Sequence, residues 1–193
     1  MRSNVAVVIL AGGEGKRIGG AKPLKWCGSE RLIDRAVNFG RLWSDMIAIA
    51  VRDCSQVSDV SADLIRDENV PGPLGGLIAG MKLALSHNRQ FVLAIPADMP
   101  FLPDDLLDRL HRAIGDRECA LAKSGGHIHP VCSLWRVSAI ERAQSYSASG
   151  RRSLKGLAAS LNFVAVKWRA EPLDPFFNIN TSEDLAEALR HGS

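Results

Sequence analysis

Val5, Ala6, Val7, Val8, Ile9, Leu10 and Ala11 form an unbroken apolar run rich in β-branched residues. A run this short and this uniformly apolar predicts a strand covered on both faces, as in a parallel sheet. It breaks into Gly12-Gly13-Glu14-Gly15-Lys16-Arg17-Ile18-Gly19-Gly20. Glycine lets backbone N–H groups approach an anion closely, and Lys and Arg supply charge. The join between strand and loop therefore predicts a phosphate site.

The rest of the first half alternates in the same way. Apolar residues at helical spacing over residues 31–43 predict a helix, and residues 46–51 a second buried strand. Leu64-Ile65-Arg66 is a weaker strand ending in Asp67. Pro71-Gly72-Pro73-Leu74-Gly75-Gly76 reads as a turn leading into a helix over residues 77–85, whose first N–H groups are free to face a ligand. Residues 91–95 predict a fourth buried strand that runs into Pro96-Ala97-Asp98-Met99-Pro100, followed by a helix over residues 103–114.

The second half is less regular. Strands are expected at residues 119–122, 130–135 and 163–166, with Gly125-Gly126 as the turn between the first two. Helices are expected at 137–143, 152–161 and from Ser182 to Arg190. Alternating strands and helices predict an α/β fold: a single-domain, Rossmann-like three-layer sandwich with a mostly parallel sheet and ligands outside the carboxyl ends of its strands. Residues 1–193 are read as one domain, with 1–115 as the nucleotide-binding half and 116–193 as the acceptor-binding half.

Counting excludes two common phosphate motifs. A P-loop needs G-x-x-x-x-G-K-[ST], but Gly15-Lys16 is followed by Arg17 and preceded at the required position by Leu10. A dinucleotide fingerprint needs a third glycine where this chain has Ile18. A plain βα turn is the simplest alternative, but Lys16, Arg17 and Lys22 crowd one strand end, which is costly unless an anion offsets them.

Asp98 stands at the tip of a buried strand between two prolines, a position suited to a nucleotide-bound Mg²⁺. Asp67 ends the neighbouring strand and is suited to a ribose, a base or the metal; either aspartate could instead be a turn or cap residue. His127 and His129 share a strand face as a potential metal pair. No nearby Asp, Glu or Cys completes a set, and Cys132 is offset to the opposite face, so substrate contact or local structure is the expectation. Arg151-Arg152, with Lys155 one turn on, is either solvated surface or a site for a second anionic substrate.

Composition removes other classes. Twenty-four basic against twenty-one acidic side chains are too balanced to argue for nucleic acid. Cys27, Cys54, Cys119 and Cys132 show no metal spacing and read as reduced thiols. The glycine loop cuts the opening apolar run short of a signal peptide, and no stretch reaches membrane-spanning length. A soluble cytoplasmic protein with no membrane partner is expected.

Leu10-Ala11-Gly12-Gly13-x-x-x-Arg17-Ile18-Gly19 resembles the opening signature of sugar- and cofactor-nucleotidyltransferases. Four further segments resemble the molybdenum cofactor guanylyltransferases within that group: Asp67 with residues 71–76, Pro96-Ala97-Asp98-Met99-Pro100-Phe101-Leu102, His129-Pro130-Val131 with Leu134-Trp135, and Asn178-Ile179-Asn180-Thr181 with residues 182–185. The resemblance implies the nucleotide-diphospho-sugar transferase type of fold and transfer of GMP from GTP to the terminal phosphate of molybdopterin.

By position, Leu10, Ala11, Gly12 and Gly13 would line the nucleotide. Arg17 and Lys22 would hold its phosphates, Asp67 would contact the nucleoside, and Asp98 would carry Mg²⁺. His129, Pro130, Arg151, Arg152, Asn178 and Asn180 are the candidates for the acceptor. Apo-forms of molybdenum enzymes, or their chaperones, are the implied onward partners. The chain departs from the family pattern at Gly19-Gly20-Ala21-Lys22, one residue shorter and without an acid, and at Ile49-Ala50-Val51-Arg52, where an Asn is usual. The alternatives are a cytidylyltransferase, or another NTP-using transferase, on the same fold, and a non-catalytic nucleotide-binding protein that delivers the cofactor. No Ser–His–Asp or Cys–His set is needed, because a phosphate-monoester nucleophile is already ionised at neutral pH.

Overall fold

The computed structural model describes residues 2–11, 22–53, 57, 59–67 and 70–191. Gly12, Gly13, Lys16, Arg17 and Cys54 lie outside the described residues. The opening strand β1 (Val5–Leu10) is buried on both faces, as its composition demands. After a two-residue hairpin pair, β2 (Trp26–Cys27) and β3 (Glu30–Arg31), come α1 (Leu32–Trp43), β4 (Ile47–Val51) and β5 (Asp63–Arg66). There follow α2 (Pro73–Ser86), β6 (Phe91–Pro96), α3 (Leu106–Ile114), β7 (Cys119–Ser124) and β8 (His127–Arg136). The chain continues with α4 (Ile140–Ala148), α5 (Leu154–Ser160), β9 (Val164–Lys167) and α6 (Ser182–His191).

Seven strands form one sheet in the order β5-β4-β1-β6-β8-β7-β9. β8 alone runs antiparallel to its neighbours, so the sheet is mostly parallel. Alternate residues of β1 serve two cores. Val5, Val7 and Ile9 meet α1 and α3, while Ala6 and Val8 meet α2 and, further along that face, α4 and α5. These are the three layers expected of an alternating α/β chain. A smaller cluster joins Cys27 and Leu32 to Ile179 and Ala188, docking α6 beside the hairpin.

Helix α2 begins at Pro73, within the segment expected to be a turn. Proline at a first helical position lacks only an N–H that would have no partner there, and Gly72 supplies the positive φ (89°) that precedes it. The helix lies very close to the sheet. A Cβ on Gly80 would come within 2.9 Å of Val8 Cβ, and one on Gly76 within 2.8 Å of Leu10 Cδ2 and 2.9 Å of Ala50 Cβ. Gly80→Val is therefore expected to destabilise by about 2–3 kcal/mol, despite valine's better helix propensity, and to lower Tm by roughly 5–10 °C. An unchanged urea midpoint would refute this close packing.

β8 corrects a second expectation. Leu121 pairs with Ser133 but Ala122 pairs with His129, so residues 130–132 bulge out of the ladder. Pro130 has no N–H to donate, and its carbonyl instead accepts the Ser133 hydroxyl at 2.6 Å, while Ser133 Oγ in turn accepts Trp135 Nε1–H at 2.6 Å. The bulge resets the alternation. His129 and Cys132 thus share the α1/α3 side of the sheet instead of lying on opposite faces: His129 stacks on Phe176, which belongs to that core with Cys132.

α6 starts at Ser182, as expected, and the residue before it provides the cap: Asp184 N–H donates to Thr181 Oγ1, and the Asp184 carboxylate accepts the Thr181 N–H. The same carboxylate accepts Asn180 N–H at 2.7 Å, and these bonds, led by that from Asn180, hold its pKa below the ordinary value. Cys27, Cys119 and Cys132 are buried free thiols, and burial pushes the Cys119 thiol up to about 12.

Candidate active site

The sheet order places β4 and β5 on one side of β1 and β6 on the other, so the carboxyl ends of β1 and β6 diverge at a topological switch point. A cavity of about 570 Å³ opens there. Leu10 from β1, Ala50 and Arg52 from the end of β4, Asp67 beyond β5, and Pro96 and Asp98 from β6 and its turn line it. The N-terminus of α2 closes one wall through Gly72, Pro73 and Gly76. The helix has Gly72 as its N-cap, with no side chain to cap it, so that among the described residues its first N–H groups are left for a ligand. Val131 and Asn178 complete the lining.

Asp98 is the centre of the polar chemistry. Its Oδ2 lies 2.6 Å from Lys22 Nζ, which also donates to Asn180 Oδ1 at 2.9 Å and to Asn178 Oδ1 at 3.4 Å. An ammonium has three protons, and all three are directed. Asp98 Oδ1 is buried, and among the described residues nothing donates a hydrogen bond to it. A buried carboxylate oxygen without a donor costs free energy unless something positive meets it, so this atom is a ready ligand for a cation. Among the described residues no group of three or more His, Cys, Asp or Glu could hold a metal by itself. A divalent cation here would take one carboxylate, that of Asp98, from among the described residues.

Asp67 lies deeper, with its N–H donated to Val51 O at 2.9 Å and Arg52 Nε 3.9 Å from its Oδ2. The pair gives the cavity lining a charged edge besides Asp98. Ala11 is buried beside it, donating to Ala50 O at 3.1 Å.

Leu10, Lys22, Asp67, Asp98, Asn178 and Asn180 thus gather at one place, although up to 170 positions separate Leu10 from Asn180. Gly12, Gly13 and Arg17 fall outside the described residues. The remaining candidates sit elsewhere. His129 turns to Ser124 and Phe176, and Pro130 forms the bulge. Arg151 and Arg152 are exposed in the α4–α5 turn, with the Arg151 guanidinium 5.1 Å above the Tyr146 ring, and neither lines the cavity.

Arg52 and Val131 line the cavity without having been singled out as site residues. A proline inside an apolar strand was the available signal for Val131, since it implies a bulge and a side chain re-aimed by it. Burial lowers the pKa of His129 below the ordinary imidazole value and favours the neutral ring, against the opposing pull of Asp174.

Residues 7–164 match the family model described as the MobA-like NTP transferase domain. A molybdenum cofactor guanylyltransferase of Rhodopseudomonas palustris (strain BisB5) is 37% identical over 192 residues, covering 95% of this chain and 91% of that protein. One from Cereibacter sphaeroides (strain ATCC 17029 / ATH 2.4.9) is 34% identical over 183 residues, covering 94% and 93%. Among solved structures, the molybdopterin-guanine dinucleotide biosynthesis protein A of Archaeoglobus fulgidus has a TM-score of 0.79 at 24% identity, over 97% of this chain and 98% of that one. The 4-diphosphocytidyl-2C-methyl-D-erythritol synthase of Anaerococcus prevotii has a TM-score of 0.74 at 14% identity, over 97% and 95%. These two likenesses concern the fold alone.

Proposed function

The chain belongs to the MobA-like NTP transferase family, and we propose that it transfers GMP from GTP to the terminal phosphate of molybdopterin, forming molybdopterin guanine dinucleotide and pyrophosphate. The observation that carries this reading is Asp98 at the switch point, with Lys22 on one carboxylate oxygen and, among the described residues, no donor on the other. A protein that only bound and delivered a cofactor has no need of a carboxylate kept open in this way.

The acceptor is a phosphate monoester, ionised at pH 7. One of its oxygens attacks the α-phosphorus of GTP, a new P–O bond forms, and the bond to the β-phosphate oxygen breaks to release pyrophosphate. No base is required; the barrier is repulsion between two polyanions, met by positioning and positive charge. Asp98 Oδ1 together with the triphosphate would hold Mg²⁺, which supplies charge neutralisation when bound. Lys22 brings an ammonium to the same point, and its 3.4 Å contact to Asn178 is the one a phosphate oxygen would replace most readily. Arg17 is the second cation of this reading. Residues 1–115 serve the nucleotide and residues 116–193 the acceptor within one domain. The free buried thiols accord with a reducing, cytoplasmic compartment, and no helix of the described residues is long and apolar enough to cross a membrane.

Guanine is the base that the wall chemistry favours. It offers adjacent donors, N1–H and N2–H₂, to a carboxylate such as Asp67, and acceptors O6 and N7 to a guanidinium such as Arg52. Cytosine and adenine have no such donor pair. A site that hydrogen-bonds its substrate in this way discriminates strongly. With molybdopterin present, kcat/KM for GTP is expected to exceed that for CTP or ATP by at least roughly a hundredfold. Asp67→Asn, which turns one acceptor into a donor, should erase most of that preference. Preferred turnover of CTP would make the chain a cytidylyltransferase, and absence of pyrophosphate release with every nucleotide would make it a binding protein.

A further inference from the structure

Ser124, His129 and Asp174 form a hydrogen-bonded cluster outside the cavity. Ser124 Oγ is 2.8 Å from both carboxylate oxygens of Asp174 and 2.7 Å from His129 Nε2. The residue types are those of a hydrolytic triad, but Ser124 is only 1% exposed, and the serine stands between the other two instead of at the end. Nucleophilic chemistry is excluded. A carboxylate can only accept, so the single serine proton goes to Asp174, and His129 Nε2 must carry a proton that it donates to Ser124. The chain of donors runs from the β7–β8 hairpin into the segment that follows β9.

That segment carries the site amides. Asp174 Oδ1 accepts Phe176 N–H at 2.9 Å, and Phe176 stacks on the His129 ring with centroids 4.8 Å apart. Three residues on, Ile179 is fully buried and donates its N–H to Asp98 O at 3.0 Å, while Asn178 and Asn180 on either side both reach Lys22. Asp184 holds the far end through Asn180 N–H.

We infer that Ser124, His129 and Asp174 are positioning residues for the acceptor: a buried strut that sets the register of Asn178 and Asn180 against Lys22 and Asp98. This rests on the acceptor role proposed for the two asparagines. The strut touches neither Asp67 nor the α2 N-terminus, and the Lys22–Asp98 pair has its own direct 2.6 Å contact, so loss of the strut is felt first at the two asparagines and hence at the acceptor.

Ser124→Ala removes the bridge and leaves His129 Nε2–H and Asp174 without each other's link. The KM for molybdopterin is expected to rise about tenfold, with the KM for GTP within about twofold of wild type. His129→Leu, which cannot donate to Ser124, should raise the molybdopterin KM in the same way, whereas His129→Gln retains a donor at the right reach and should show only a small part of that rise. An unchanged molybdopterin KM, or a parallel rise in both KM values, overturns the inference.

Hydrogen exchange of the nucleotide-free protein gives a second readout that needs no turnover. Amides 176–180 should exchange roughly tenfold faster in Ser124→Ala with α2 and α3 unchanged, and equal exchange overturns the strut. A wild-type protein that releases no pyrophosphate with molybdopterin defeats the functional reading, and exchange then decides the strut alone. If Ser124→Ala does not fold, Asp174→Asn, which keeps one acceptor, is judged by the same two measures.

Discussion

Asp98→Ala is expected to abolish Mg²⁺-dependent pyrophosphate release, lowering kcat/KM by about 10⁴ or more. The two carboxylate oxygens stand in different situations. Oδ2 takes the Lys22 ammonium at 2.6 Å, and Oδ1 is buried without a donor among the described residues. Alanine removes both the open ligand position and the charge that holds Lys22 in place. The backbone need not move, because the link from Ile179 N–H goes to the Asp98 carbonyl. Lys22 also retains its two asparagines. Both members of the pair keep some solvent contact (11% and 23%), so the loss of stability should stay within about 1–3 kcal/mol. Asp98→Asn separates the functions further: its amide oxygen can still accept from Lys22, but its weaker charge should still cost roughly a thousandfold. Near-normal turnover of either variant, measured as pyrophosphate release across a Mg²⁺ titration, would sink the assignment.

Lys22→Met should reduce kcat/KM by roughly a hundredfold to a thousandfold. Methionine fills the space of the buried aliphatic stem while removing the ammonium, so packing is largely kept. Three groups lose their common donor at once: Asp98, Asn178 and Asn180. Asn180→Ala in the Lys22→Met background should therefore add little to the effect of Lys22→Met alone, a coupling of about 1–2 kcal/mol in a double-mutant cycle. Strict additivity would show that the asparagines act independently of Lys22. Lys22→Arg is not a conservative test of charge. A planar guanidinium cannot direct three convergent donors as the ammonium does, and a large loss is expected there too.

The parts of the site that were legible in the sequence are those whose chemistry is local. Asp98 follows a buried strand between prolines, Asp67 ends its neighbour, and Lys22 lies just after a glycine loop; each could be singled out from its immediate surroundings. Val131 had only the proline before it as a signal, and Arg52 could not be singled out, since lining a cavity is a property of neighbours and not of the residue. Val131 faces it because Pro130 interrupts the ladder and resets the alternation of β8, which also moved His129 to the side of the sheet opposite to the expected relation with Cys132. The helix at Pro73 began earlier than its glycines and prolines suggested, because Gly76 and Gly80 are there for close packing on Leu10, Ala50 and Val8. Composition alone reads Gly76 as part of a turn.

Periodicity and punctuation, which act over a few residues, determined that this chain alternates strands and helices, that β1 is buried on both faces, and that charge collects at its carboxyl end. Only the tertiary structure decided which distant segments meet there. The ammonium of Lys22 is completed by Asn178 and Asn180, more than 150 positions away, and Ser124 and Asp174 find each other across 50. Those meetings depend on the order of strands in the sheet and on the docking of the C-terminal segment, which are set by burial summed over the whole molecule and leave no signature in any short stretch.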